Sequence, residues 1–154
     1  MSKKDLDVVP RVDLTRYTGK WYEIARLPNR FQKGCVDTTA TYTLLKNGSI
    51  EVLNECVKDG EIDRIKGKAK VADRKTGAKL KVTFFWPFYG PYWIIGLGKN
   101  YEYAVVGTPN RKYLWILSRT PEMDRERYDS IVKELKLKGF DVSKLIRNVH
   151  SVKK

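Results

Sequence analysis

Gly19-Lys20-Trp21-Tyr22-Glu23-Ile24-Ala25-Arg26 and the much later Tyr113-Leu114-Trp115-Ile116-Leu117-Ser118-Arg119 are rich in aromatic and β-branched residues, which suit a pleated, half-buried strand. Between them lie six more strand-like segments separated by turn signals, near 36–45, 50–57, 62–72, 79–86, 92–97 and 102–107. Such a series predicts an all-β domain, an eight-stranded antiparallel up-and-down barrel in which the two quoted stretches meet and close the sheet. Alternation along the first puts Trp21, Glu23, Ala25 and Leu27 on one face and Tyr22, Ile24 and Arg26 on the other. Both faces carry apolar groups, so an outer cover is expected.

The chain after Pro121 supplies one. Tyr128, Ile131, Val132 and Leu135 recur at the spacing of a helical stripe, with Asp124 as N-cap and Gly139 as the C′ residue. This C-terminal helix is expected to pack outside the barrel over Tyr22 and Ile24. A short turn at 141–144 and a last strand near 147–152 follow. Residues 1–12 read as a charged N-terminal tail, and 13–154 as a single domain.

Asn47-Gly48 marks a hairpin. With Leu45 opposite Ile50, Cys56 faces Thr39, and Cys35 lies four residues further along, roughly 14 Å away at strand rise. A disulfide needs Cα atoms within about 7 Å. A regular ladder forbids the bond, so Cys35 and Cys56 are expected to join through a local irregularity before the second strand, in a protein working outside the reducing cytosol.

A chain of 154 residues makes one domain. Its longest aromatic run, Phe84 to Leu97, is broken by Pro87, Gly90 and Pro91, so it cannot be a helix spanning a bilayer. Met1-Ser2-Lys3-Lys4-Asp5 lacks an apolar signal segment; a cytoplasmic chain, or a mature form whose leader is absent from this sequence, is expected. The formal charge of +13, from 31 basic and 18 acidic side chains, invites nucleic acid or an anionic membrane surface. Yet lysines alternate with apolar residues in Ile65 to Val71 and Lys79 to Val82, the pattern of a solvated outer wall, so nucleic acid is the weaker partner.

No catalytic constellation is legible, and a binding protein is expected rather than an enzyme. His150 is the single histidine and sits near the C-terminus, a poor base for a nucleophile pair. Two cysteines and one histidine are too few for a structural zinc site. No metal and no cofactor is expected. The aromatic residues Phe84, Phe85, Trp86, Phe88, Tyr89, Tyr92 and Trp93 are the strongest functional lead. Leu80, Val82, Phe84 and Trp86 should face inward because Lys79, Lys81 and Thr83 take the other side. Residues 87–91 read as a loop, at the same barrel end as the loop carrying Phe31 and opposite the Asn47-Gly48 turn.

The motifs Gly19-x-Trp21 with its continuation to Arg26, Ala40-Thr41-Tyr42-Thr43-Leu44, Tyr113 to Pro121 and Gly139 to Leu145 together resemble the lipocalin family, most closely its bacterial outer-membrane and plant temperature-induced branches. The resemblance runs from about Asp13 to Ser143. It implies a closed base plugged by Gly19, Trp21 and Arg119, and an open mouth rimmed by Phe31, Trp86, Phe88 and Tyr89. Trp115, Leu117, Val82 and Phe84 would line the cup, and Trp115 and Tyr89 match ligand-contacting positions of the bacterial branch. The implied ligand is a fatty acid or lysophospholipid, and the implied place is the periplasm or outer membrane. A homodimer and peripheral contact with an anionic membrane are compatible with it. A cavity-cysteine isomerase centred on Cys56, as some members are, lacks a base here.

Overall fold

The structure, a computed structural model, describes residues 5–85 and 88–150, the side chains of residues 84, 85 and 88 excepted. A short helix α1 (Leu14–Tyr17), capped by the Asp13 carboxylate on the Thr15 N–H, leads into β1 (Gly19–Arg26). Then follow β2 (Val36–Leu44), β3 (Ile50–Lys58), β4 (Glu61–Val71), β5 (Lys79–Phe85), β6 (Phe88–Leu97), β7 (Tyr103–Gly107) and β8 (Leu114–Ser118). Each pairs antiparallel with the next, and β1 pairs with both β8 and β2, so the barrel closes. A two-residue strand β9 (Ile146–Arg147), shorter and earlier than the expected last strand, adds to the far end of β1.

Helix α2 (Arg125–Leu137) starts on the Asp124 side chain, which accepts from the Arg127 N–H. It ends at Gly139, whose φ of +94° is the left-handed turn glycine tolerates best. Its buried face, Tyr128, Ile131 and Leu135, packs on Ile24, Ile95, Val105 and Ile116 outside the barrel. Tyr22 is covered differently from the expectation: His150 meets its ring edge-on at 5.2 Å. The His150 ring is held by Nε2 against the Glu23 carbonyl at 2.8 Å. The N-terminal segment also packs, with Leu6 and Val12 buried and the Val9 and Val12 N–H groups bonded to the Ile94 and Thr76 carbonyls.

Three local expectations do not hold. In β1 the register shifts between Glu23 and Ala25, a bulge that turns Ala25 and Leu27 outward beneath α2 and sends Arg26 inward beside Glu23. Simple alternation reverses them. In the β2–β3 hairpin Leu44, not Leu45, faces Ile50, so Thr39 faces Glu55. A second irregularity lies inside β2, between Val36 and Thr39, where Asp37 takes a φ of 53°. It brings the Cα atoms of Cys35 and Cys56 to 5.4 Å, and the two are disulfide-bonded. Finally, Phe88 to Pro91 belong to β6 and not to a loop. Pro91 pairs with Lys81 near another irregularity, a setting in which a strand tolerates a residue lacking an N–H.

Candidate functional site

The barrel interior is layered along β1. At the base the Arg119 guanidinium lies 3.7 Å from the centre of the Trp21 ring. Its N–H groups donate to the carbonyls of Arg16, Tyr17, Lys20 and Tyr101. Gly19 completes this arrangement: with φ at +105°, a Cβ there would stand 3.2 Å from Arg119 Nη1.

Above the plug three phenols form a chain. Tyr92 donates to Tyr42 at 2.8 Å, so its oxygen accepts the Tyr17 proton at 2.7 Å. Burial raises all three above the ordinary tyrosine value, Tyr42 to about 12 with the nearby Glu23 carboxylate adding to the shift. Because the folded values lie above the unfolded value of about 10, the stability these groups contribute is complete below that pH. It then falls as pH rises through the folded values, by at most about 1.4 kcal/mol per pH unit for each phenol. Alkaline unfolding should therefore steepen above about pH 10, and Tyr42→Phe should make the curve shallower; an unchanged slope in that variant would refute the assignment.

The wall beside these phenols is apolar. Ile50, Val52, Ala69, Leu80 and Val82 line it, and the space left between them and the phenols is only about 10 Å³. The barrel is thus nearly filled at the level of the phenols. Higher up, on the β8 side, stand Leu117, which is buried, and Trp115, partly buried. Tyr113 stacks on Trp115 with centroids 5.9 Å apart.

At the level of Trp115 the interior turns polar. Glu23 and Arg26, both buried, pair at 2.7 Å. Gln32, on the turn after β1, donates to Glu23 and accepts from Trp115 Nε1 at 2.8 Å. Arg26 Nη2 donates to the Gln32 and Cys35 carbonyls. This turn carries Phe31, 60% exposed.

The structure therefore brings Val82, Trp115 and Leu117 to the interior. Tyr89 it does not: the β5–β6 register puts Tyr89 on the outer face, where Lys70 lies 6.0 Å from its ring. The Phe84, Trp86 and Phe88 side chains lie outside the described residues. Strand alternation alone does not single out Tyr17, Tyr42, Gln32 or the inward Arg26. Tyr113 shares the parity of Trp115 and could have been found that way; Arg26 could not, because the bulge that turns it inward leaves no sequence signal.

Residues 12–150 match a family described as a lipocalin-like domain. The chain belongs to the lipocalin family. It is 45% identical to temperature-induced lipocalin-1 of Arabidopsis thaliana, over 97% of this chain and 85% of that one. It is 43% identical to the outer membrane lipoprotein Blc of Escherichia coli K12, over 93% and 82%. Insecticyanin of the tobacco hornworm shares the fold, with a TM-score of 0.78 at 24% identity over 96% of this chain and 85% of that one. Lipocalins bind small hydrophobic ligands and act generally as binding and transport proteins.

Proposed function

We propose that this lipocalin binds a single-chain lipid, a fatty acid or lysophospholipid, tail first in the upper half of its barrel. The observation that carries the reading is an apolar interior above a hydrogen-bonded tyrosine floor, with the Val82, Leu117 and Trp115 side chains turned inward. Each methylene moved from water into that interior contributes about 0.8 kcal/mol. Titration of an acyl series against tryptophan emission tests it. Affinity should rise with chain length until the tail meets the floor, then level off, and Trp115→Ala should weaken binding about tenfold, the equivalent of 1.4 kcal/mol. No saturable binding at any length would defeat the reading.

The lysines of β4 and β5 face outward, which suits peripheral contact with an anionic membrane surface. The disulfide and the relative named as an outer membrane lipoprotein support a periplasmic or outer-membrane setting.

A further inference from the structure

Arg26 is a buried cation whose hydrogen bonds are incomplete. Nη1 serves Glu23 and Nη2 serves two carbonyls, while buried Nε has no hydrogen-bond partner among the described residues. Buried donors are seldom left so, because burial without a partner is costly. The bulge in β1 sends this side chain to the interior, beside Gln32 and Trp115. Resting on the lipid reading above, we propose that Arg26, Glu23 and Gln32 form a polar subsite for the ligand's head, and that it selects an uncharged hydroxyl-bearing group.

Charge and lone pairs decide that class. The Arg26 charge is matched by Glu23 at 2.7 Å, so a carboxylate entering here would lose its water and gain no net attraction. An acceptor-only group such as a simple ester would take the Nε proton but face the oxygens of Glu23, Gln32 and Cys35 already gathered around this guanidinium. A hydroxyl accepts from Nε and donates to one of those oxygens. A lipid alcohol or the free hydroxyl of a monoacylglycerol or lysophospholipid meets the requirement.

Lauryl alcohol, monolaurin, laurate and methyl laurate, titrated into the full chain at neutral pH, test this. The alcohol and monolaurin should bind about tenfold more tightly than laurate and methyl laurate, the difference one satisfied hydrogen bond makes. Arg26→Lys keeps the cation but removes the Nε donor, and should narrow that preference; a folded variant with the preference intact overturns the role of Arg26. If the variant does not fold, the four ligands on the unaltered protein still decide. Laurate or methyl laurate binding as tightly as the alcohol overturns the subsite alone. Failure of all four to saturate overturns the lipid reading beneath it.

Discussion

Arg119→Ala should lower the melting temperature by about 10 °C, since a lost network of this kind costs about 3–4 kcal/mol and each kcal/mol moves a domain of this size by about 2–4 °C. The substitution removes the cation from the Trp21 face and takes one donor from each of four carbonyls, of which that of Tyr17 keeps the Trp21 indole N–H. Those carbonyls come from α1, β1 and the β6–β7 connection, so the loss would loosen the base from three sides. Arg119→Lys should recover little, because an ammonium cannot present the same planar fork. Ligand affinity of the folded fraction should change little, since the plug lies beneath the tyrosine floor. Thermal denaturation followed by circular dichroism gives the answer; an unshifted midpoint would count against the plug.

Replacing Cys35 and Cys56 together by serine should cost about 3 kcal/mol in the loop-entropy description, the pair being separated by 21 residues. A fall of about 10 °C in melting temperature is expected at this chain size. The effect should be local as well as global. The Cys35 carbonyl accepts from Arg26 and from Asn148, and Asn148 also takes the Thr38 N–H. Without the bond, amide exchange should quicken first in residues 30–38 and at the C-terminal segment that Asn148 anchors. Denaturant unfolding and hydrogen exchange measure the two effects. Two titratable thiols in unreduced, denatured protein from an oxidising compartment would show that the bond is absent.

Strand count and the outer helix were legible because each rests on a local pattern, while closure was implied by the match between the two quoted strands and by the lipocalin resemblance. Period-two alternation marks strands, Asn47-Gly48 marks a hairpin, and the Tyr128 to Leu135 stripe between Asp124 and Gly139 marks a capped helix. The inward placing of Trp115 and Leu117 follows from alternation in a strand whose pairing with β7 stays regular.

What alternation could not give is where it breaks. The bulge between Glu23 and Ala25, the irregularity between Val36 and Thr39 and the extension of β6 through Pro91 each depend on partners distant in sequence. A single slipped residue reverses every later side chain of a strand. The sequence by itself therefore determined an all-β lipocalin barrel with a helix outside. Only the tertiary structure decided that Arg26 points inward, that Tyr89 points outward and that Cys35 reaches Cys56, because register is fixed by the packing of the closed sheet and not by the strand that slips.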